Sequence, residues 1–474
     1  MQLEGKKVLV VGVARSGVAA SRLLTSRGAR VTANDRKEES QLAAEAEQLR
    51  ALGVTLALGG HPVELFTGAD LIVLSPGVPA NLAPLQAARS AGVEIISEVE
   101  LAARFMRGRL IAITGSNGKT TTTALTGELM RAADAHTIVG GNIGEALTGL
   151  VEKTTDDSWT VAELSSFQLE TIERLRAQVA VITNITPDHL DRYRSFEDYA
   201  RAKHRIFLNQ TASDRAVLNG RDPGINDMIA ALGVPSRKVY FSSRGRDSSS
   251  KDPAHIYVRD GRIFTTMFTD DGSEIEVLSL DEMPLPGMHN VENVMAALGG
   301  VFCALGERES EIKLLALREA VKRFKGVEHR IEFVAEIEGI RFYNDSKATN
   351  VDSTVKAIEA FERNIILILG GLDKGSDYTV LAPLISERVK QIVLIGAASD
   401  KIAGQLEGVQ KMVRARSMED ALFKSKAEAR AGDTVLLAPA CASFDMFDNY
   451  EHRGRAFKEI VIGMAEQLQD KSKK

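Results

Sequence analysis

The chain has 474 residues, of which 44% are hydrophobic and 26% charged, and its formal net charge is −5. This composition is typical of a globular protein of about three domains, and the mild negative charge gives no support for binding nucleic acid. Two cysteines, Cys303 and Cys441, exclude a disulfide framework, and no apolar stretch is long enough to span a bilayer. The first residues lead into a predicted strand without a signal-peptide pattern, so we expect a cytoplasmic protein that binds neither nucleic acid nor membrane.

The N-terminal segment is predicted to be Rossmann-like. A strand over 7–11 is followed by the turn Gly12-Val13-Ala14-Arg15-Ser16-Gly17, a helical run and a second strand that ends at Asp35. The turn resembles a dinucleotide fingerprint, but Ala14 stands at the second glycine position, where its Cβ would obstruct a pyrophosphate. Asp35 is near the spacing expected of a ribose ligand. The pattern favours a nucleotide diphosphate over a structural turn and leaves an NAD enzyme open. A further strand over 71–74 ends in Ser75-Pro76-Gly77.

The most informative stretch lies between residues 111 and 122. An apolar run ends in Gly115-Ser116-Asn117-Gly118-Lys119-Thr120-Thr121, and a helix-compatible run follows. Strand, glycine-rich loop and helix in this order predict a phosphate loop, in which Lys119 reaches the β- and γ-phosphates and Thr120 offers its hydroxyl to Mg²⁺. Two residues separate the glycines, instead of the usual four. The alternative is a glycine-rich turn with an incidental lysine, which the flanking strand and helix disfavour.

Other candidate residues follow predicted strands of the same mainly parallel sheet. Glu163 ends a strand and could hold Mg²⁺ near the γ-phosphate, or be a solvated strand end. His189 lies in a polar cluster, where it could ligate a metal or orient a substrate, although a lone histidine is more often structural. Lys203 by spacing alone is a surface lysine, and Asn293 could contact a base or cap a helix. Residues 237–285 contain short alternating segments, which predict a small antiparallel meander at the sheet edge.

The C-terminal segment, from about residue 327, again alternates strands with helices. Polar runs follow its predicted strands, and the functional groups of open α/β sheets lie at such strand ends. Arg330 follows a domain junction and could reach a phosphate. One polar run alone would be a loop, but the run 344–350 together with Lys374 and Ser443 suggests a pocket for a molecule that carries a carboxylate.

Taken together, these motifs resemble the ATP-dependent Mur ligase superfamily. The resemblance covers essentially the whole chain and is carried by the short loop 114–120, Glu163, Asp188-His189-Leu190-Asp191, Lys203 and His289-Asn290 with Asn293. It implies an α/β fold of three domains. Residues 1–100 would form a Rossmann-like domain that binds the UDP part of an acceptor. Residues 101–326 would form a P-loop ATPase-like domain with a mainly parallel sheet and a small antiparallel insert, and 327–474 a Rossmann-like domain that binds an amino acid.

The resemblance also implies a reaction. The runs 344–350 and 439–445 are similar to those of the family member that adds D-glutamate to UDP-N-acetylmuramoyl-L-alanine. We therefore expect an ATP-dependent acid–D-amino-acid ligase of peptidoglycan precursor synthesis, which uses ATP and Mg²⁺ and acts as a monomer. ATP would phosphorylate the alanyl carboxylate, the amine of D-glutamate would attack the acyl phosphate, and ADP and phosphate would be released.

Roles for individual residues are implied by the same resemblance. The catalytic set is Lys119, Glu163, His189 and Lys203. The metal ligands are Thr120, Glu163, His189 and Lys203, the last as a carbamate. The nucleotide would contact Gly115, Ser116, Asn117, Gly118, Lys119, Thr120, Thr121, Asn293, Arg330 and Asp345. The acceptor would contact Gly12, Ala14, Arg15, Ser16, Asp35, Arg36, Ser75, Pro76, Gly77, Asn142, Ser165 and His189. D-glutamate would contact Lys347, Thr349, Lys374, Ser443 and Tyr450.

Three alternatives compete with this hypothesis. A folylpolyglutamate synthase shares part of the motif set but is not expected to begin with a complete Rossmann-like UDP-binding domain. A dehydrogenase would use the N-terminal turn, but Ala14 and the separate phosphate loop argue against it. A nucleotide-gated binding module would leave the combination of Lys119, Glu163, His189 and Lys203 unexplained.

Overall fold

The computed structural model describes residues 1–79, 81–187, 192–246, 254–268, 272–373 and 375–472. The chain forms two compact units, Met1–Met283 with Val291–Arg323 and Pro284–Asn290 with Phe324–Lys474. Its strands form three sheets, two in the first unit and one in the second. The predicted α/β fold is therefore confirmed. Among the described residues, no helix has both the length and the apolar character needed to cross a membrane.

The first sheet is built by the N-terminal residues. Its elements are β1 (Lys7–Val11), α1 (Arg15–Ser26), β2 (Arg30–Asp35), a 3₁₀ turn (Glu39–Gln41), α2 (Ala43–Ala51), β3 (Thr55–Leu58), α3 (Val63–Thr67), β4 (Leu71–Leu74), α4 (Ala83–Ser90), β5 (Glu94–Ser97) and α5 (Glu98–Ala103). The five strands are parallel in the order β3-β2-β1-β4-β5. The chain reverses its winding direction at β1, and open α/β sheets bind their ligands at that switch point.

The second sheet has nine strands in the order β14-β13-β12-β11-β10-β9-β6-β8-β7. Its elements are β6 (Arg109–Thr114), α6 (Lys119–Ala132), β7 (Thr137–Gly141), α7 (Leu147–Leu150), β8 (Trp159–Glu163), α8 (Ser166–Leu169), β9 (Val179–Ile182), α9 (Phe196–His204), β10 (Arg215–Asn219), α10 (Pro223–Leu232), β11 (Arg237–Ser242), β12 (Ile256–Arg259), β13 (Arg262–Thr265), β14 (Ile275–Ser279), α11 (Met288–Leu305), α12 (Glu307–Arg323) and 3₁₀ turns at Val151–Lys153, Arg205–Phe207 and Leu280–Glu282. β6 and β9 are buried apolar runs because helices cover both faces of a parallel sheet.

The antiparallel insert is smaller than predicted. The meander expected over 237–285 holds for β12–β14, which pair antiparallel. It is wrong for β11, which pairs parallel with β10 on one side and with β12 on the other. β11 therefore continues the main sheet. The alternation of β11 resembles that of a meander strand. Its parallel partner β10 lies about twenty residues earlier in the sequence, and the pattern within one strand does not indicate such a partner.

Two buried carboxylates join the first two sheets into one unit. The Glu98 carboxylate accepts hydrogen bonds from the Thr148 backbone N–H and hydroxyl, both at 2.7 Å. Glu100 is fully buried, accepts backbone N–H bonds from residues 173–175, and pairs with Arg104 at 2.9 Å. A buried charge with this many partners is costly to separate from them, so the junction near residue 100 is held firmly.

The second unit contains the third sheet. Its elements are β15 (Glu332–Ile337), β16 (Ile340–Asn344), α13 (Val351–Glu359), β17 (Ile365–Gly370), a 3₁₀ turn (Thr379–Leu381), α14 (Ala382–Arg388), β18 (Val389–Ile395), α15 (Ser399–Gln405), β19 (Met412–Arg414), α16 (Met418–Glu428), β20 (Thr434–Leu437) and α17 (Tyr450–Ser472). The order is β15-β16-β20-β17-β18-β19. β15 runs antiparallel to β16, and the other neighbouring strands run parallel. The carboxyl ends of β16, β17 and β20 meet at one edge.

Candidate active site

The glycine-rich loop follows β6, which lies between β8 and β9 in the second sheet. Gly115 and Gly118 have φ angles of +151° and +80°, which side chains rarely adopt. A Cβ on Gly115 would lie 1.9 Å from the Thr183 hydroxyl. α6 begins directly after Gly118, so the loop leads into a helix N-terminus, where an anion is favoured.

The residues after β9 fix the shape of this loop. The Asn184 carbonyl accepts from the Ser116 N–H, and its side-chain oxygen accepts from the Asn117 N–H, both at 2.9 Å. Thr183 donates its hydroxyl to the Asn117 carbonyl at 2.6 Å. The Ser116 hydroxyl lies 3.0 Å from that of buried Tyr199. β9 ends at Ile182, and the residues after it turn to bind the loop.

Two lysine amines meet at the loop. Lys119 donates to the carbonyls of Gly115 at 2.9 Å and Ser116 at 2.8 Å, and Lys203 donates to the same Gly115 carbonyl at 2.7 Å. Lys203 lies on α9 and is only 2% exposed, with its amine over the Tyr199 ring. The interpretation of Lys203 as a surface lysine is wrong, because the helix turns this residue toward the loop.

Glu163 ends β8, the strand beside β6, and is buried. One carboxylate oxygen accepts from the Asn142 amide at 2.7 Å, whereas the other, Oε2, has no hydrogen-bond partner among the described residues. The alternative of a solvated strand end is therefore wrong. An orphaned buried carboxylate oxygen near a phosphate loop is suited to a hard cation, and Mg²⁺ binds through few carboxylates. Buried Thr120, on the first turn of α6, supplies a second oxygen. The residues present thus fit a magnesium ion.

Asn293 lies against the start of α6. Its side-chain oxygen is 3.4 Å from the Thr122 hydroxyl and would lie 2.1 Å from a Cβ on Gly118. It sits within α11 rather than at its start, so the helix-cap alternative is wrong. The structure therefore brings Asn293, which is distant in sequence, to the phosphate loop.

The predicted acceptor residues of the N-terminal domain gather at the carboxyl ends of β1, β2 and β4. Ser75 donates its hydroxyl to the Gly12 carbonyl at 2.7 Å, which joins the two turns across the switch point. The Asp35 carboxylate accepts from the N–H groups of Val13 at 2.9 Å and Lys37 at 3.0 Å. Near them lie Ala14, Arg15, Ser16, Arg36, Pro76 and Gly77. Asn142 and Ser165 flank Glu163 instead, and Ser165 caps α8.

In the second unit, Asp345 follows β16 and is buried close to Arg330. The Lys347 amine lies 5.8 Å from the centre of the Tyr450 ring. Thr349 is half-buried in the same loop, and Ser443 is buried after β20. The structure thus places these predicted residues at one sheet edge. Residues 188–191, with His189, and Lys374 lie outside the described residues.

Arg453 is a residue that sequence reasoning missed. It is 1% exposed, and its guanidinium donates to Ser346 and to the carbonyls of Cys441 and Ala442 at 2.9 to 3.3 Å. Burial lowers its pKa to about 10. It thereby ties the loops after β16 and β20 together. The one related signal in the sequence is the neighbouring Gly454. A glycine inside a helix can indicate that another group packs closely there, and a Cβ on Gly454 would collide with the ring of His329.

Asp345 predicts a pH dependence of stability. Burial raises its pKa from 3.8 to about 7, although Arg330, an N–H from Ile331 and Lys347 oppose the shift. Between these values the Asp345 carboxyl of the folded protein holds a proton that it releases in the unfolded chain, so its contribution to the free energy of unfolding should fall as pH rises through this window. In urea titrations of the ligand-free protein, Asp345→Asn should therefore make the slope of the unfolding free energy against pH less negative than the wild-type slope. Asp400→Asn, at an exposed carboxylate of the same unit, should keep it; an equal slope in all three proteins would contradict the assignment.

Comparisons with known proteins cover nearly the whole chain. Family models match at residues 6–97 (Mur ligase MurD-like, N-terminal domain), 113–301 (Mur ligase middle domain) and 329–441 (Mur ligase, glutamate ligase domain). A UDP-N-acetylmuramoylalanine–D-glutamate ligase of Koribacter versatilis is 48% identical over 468 residues, 98% of this chain and 99% of that protein. The ligase of the same name from Acidobacterium capsulatum is 49% identical over 462 residues, 98% of this chain and 97% of that protein.

Solved structures share the fold. The UDP-N-acetylmuramate-alanine ligase MurC of Thermotoga maritima superposes with a TM-score of 0.59 at 19% identity, over 97% of this chain and all of that one. The MurF ligase of the same organism, in complex with ADP, gives a TM-score of 0.56 at 15% identity, over 98% of this chain and 96% of that one.

Proposed function

The chain belongs to the Mur ligase family, and from this premise we propose that it is an ATP-dependent ligase that joins D-glutamate to UDP-N-acetylmuramoyl-L-alanine in peptidoglycan precursor synthesis. The observation that carries the proposal is the match to relatives of that name at 48% and 49% identity over nearly their full lengths. The geometry is consistent with it, because the phosphate loop and the orphaned carboxylate of Glu163 lie at the ends of adjacent strands.

The proposed domains follow the three sheets. Residues 1–100 bind the UDP part of the acceptor at the β1–β4 switch point. Residues 101–326 bind ATP at the loop after β6. Residues 327–474 bind D-glutamate at the carboxyl ends of β16, β17 and β20. Support comes from the general rule that open α/β sheets bind their ligands at the carboxyl ends of strands, where the strand order reverses.

The chemistry is two successive substitutions. A carboxylate oxygen of the alanyl group attacks the γ-phosphorus of ATP, the bond to the β-phosphate oxygen breaks, and ADP leaves. The amine of D-glutamate then attacks the acyl carbon of the resulting acyl phosphate, the tetrahedral intermediate expels inorganic phosphate, and the amine proton is lost. Lys119 and the N-terminus of α6 stabilise negative charge on the phosphoryl group.

Magnesium is the proposed cofactor. Thr120 and Glu163 would hold one ion and His189 would join a second metal site, with Lys203 as a further metal ligand after its buried amine has lost a proton and reacted with carbon dioxide to form a carbamate. When bound, Mg²⁺ neutralises charge on the phosphates. Burial of Lys203 beside the Gly115 carbonyl supports the proposal, because a modified side chain there would put a carboxylate-like anion at the phosphate loop.

The remaining contacts are proposed from family likeness and position. The nucleotide contacts Gly115, Ser116, Asn117, Gly118, Lys119, Thr120, Thr121, Asn293, Arg330 and Asp345. The acceptor contacts Gly12, Ala14, Arg15, Ser16, Asp35, Arg36, Ser75, Pro76, Gly77, Asn142, Ser165 and His189. D-glutamate contacts Lys347, Thr349, Lys374, Ser443 and Tyr450, and Lys347 also helps to position the acyl phosphate. The enzyme is proposed to act in the cytoplasm as a monomer.

The test is ligation with purified protein, ATP, Mg²⁺ and UDP-N-acetylmuramoyl-L-alanine, read by product mass and phosphate release. D-glutamate, L-glutamate, meso-diaminopimelate and L-alanine are compared. Product with D-glutamate alone supports the proposal. Product with another amino acid is consistent with the ligase chemistry but overturns the assignment of D-glutamate as the substrate. If no amino acid gives product, the assignment of UDP-N-acetylmuramoyl-L-alanine as the acceptor is overturned.

A further inference from the structure

Arg192 connects the N-terminal domain to the central domain within the first unit. Its guanidinium donates to the Pro76 carbonyl at 3.3 Å and to the Glu170 carboxylate at 3.2 Å. Its central carbon lies 3.8 Å from the centre of the Phe167 ring. The side chain is about one-fifth exposed, so these contacts are partly shielded from water. Pro76 belongs to the turn after β4, which is proposed to contact the acceptor.

A second set of contacts continues from Glu170 to the phosphate loop. Tyr193 donates its hydroxyl to the other Glu170 oxygen at 2.6 Å, and burial raises the pKa of this tyrosine, which keeps its proton in place. The Tyr193 ring packs against Tyr199 with 5.4 Å between ring centres. The Tyr199 hydroxyl lies 3.0 Å from that of Ser116 in the loop. Contacts are therefore continuous from the acceptor turn to the phosphate loop.

This series of contacts borders a cavity of about 410 Å³, which is lined by Arg192, Tyr193, Glu170 and Asn81 among others. Because Arg192 borders this open space and its side chain is about one-fifth exposed, packing does not fully enclose it. A contact that can form and break, next to a ligand-binding turn, can respond to occupancy of that turn.

We propose that Arg192 is a positioning residue that couples acceptor binding to nucleotide binding, because it joins the Pro76 turn to the phosphate loop through Glu170, Tyr193 and Tyr199. This inference rests on the proposed function. A purely structural ion pair would contribute to stability, but its removal would not change how one ligand affects the other. Coupling of the two affinities therefore distinguishes the roles.

The experiment measures the dissociation constant of a non-hydrolysable ATP analogue with Mg²⁺ by calorimetry, with and without saturating UDP-N-acetylmuramoyl-L-alanine. In the wild-type protein we expect the acceptor to tighten nucleotide binding by about 5-fold or more, the lower end of typical coupling. In Arg192→Met, the ratio of the dissociation constants measured without and with the acceptor should approach one. Its affinity for the analogue alone should stay near that of the wild type. Tyr193→Phe, which removes only the hydroxyl bond to Glu170, should lose coupling too, and the double variant should lose no more than either single one.

Arg194→Met is the matched control. Arg194 is exposed and lines the same cavity two residues away, so its removal should leave coupling at the wild-type level. Wild-type coupling in Arg192→Met would overturn the inference. So would a wild-type enzyme that ligates but shows no coupling, whereas a wild-type protein that does not ligate counts against the proposed function. If Arg192→Met fails to fold by circular dichroism, the milder Tyr193→Phe decides.

Discussion

Lys119→Ala is expected to lower kcat/KM for ligation by about 10³-fold or more, with the fold intact. A positive charge preorganised beside a transferring phosphoryl group contributes on this scale. The Lys119 amine is held at the loop by the carbonyls of Gly115 and Ser116, beside the N-terminus of α6 where a phosphate is proposed to bind. The measurement is the initial rate of phosphate release with all three substrates, together with product mass.

Lys153→Ala is the matched control for this variant. Lys153 lies in the same unit, and its amine forms a surface ion pair with Glu145 at 2.7 Å, an interaction that contributes little to stability. Its rate should match that of the wild type, and the melting temperatures of both variants should stay close to the wild-type value. Equal rates in Lys119→Ala and Lys153→Ala would show that Lys119 takes no part in phosphoryl transfer.

The parts of the site that could be predicted are those that depend on residues close together in the sequence. Strand, glycine-rich loop and helix follow one another over residues 109–132, and the structure has the same order because each element depends on near neighbours. Placement of Glu163 at a strand end is equally local. The alternation of β11 was also recognised, but its parallel pairing with β10 depends on a partner outside the local window.

Other features depend on contacts between residues far apart in sequence. Spacing alone predicts that Lys203 is a surface lysine, yet the residue is buried and donates to the carbonyl of Gly115, 88 residues away. Arg453 bonds to Ser346, 107 residues away, and its own helix gives no sign of that partner. Composition and periodicity carry no information about which loops meet. Family resemblance therefore assigned a role to Lys203, whereas Arg453 was missed.

Glu163→Gln is expected to raise the Mg²⁺ concentration needed for half-maximal ligation by at least about tenfold, since changes even beyond the first ligand layer of a metal cost 10- to 100-fold in affinity. The substitution keeps the volume of the side chain, and the amide oxygen can still accept the bond from Asn142. It removes the negative charge and replaces the orphaned Oε2 with an N–H donor, which cannot ligate a cation. The measurement is a Mg²⁺ titration of the ligation rate at saturating substrates, accompanied by a thermal melt.

Glu98→Gln separates metal binding from the general effect of removing a buried carboxylate. Glu98 is also buried, and its Oε2 also has no hydrogen-bond partner among the described residues, but its other oxygen accepts two bonds from Thr148 at the junction of the first two sheets. Burial raises the pKa of Glu98, so its amide should be tolerated and its Mg²⁺ titration should match that of the wild type. A shift in Glu163→Gln alone assigns the cation to Glu163. Equal shifts in both variants would attribute the effect to the loss of buried charge, and an unchanged titration in Glu163→Gln would remove this residue from the metal site.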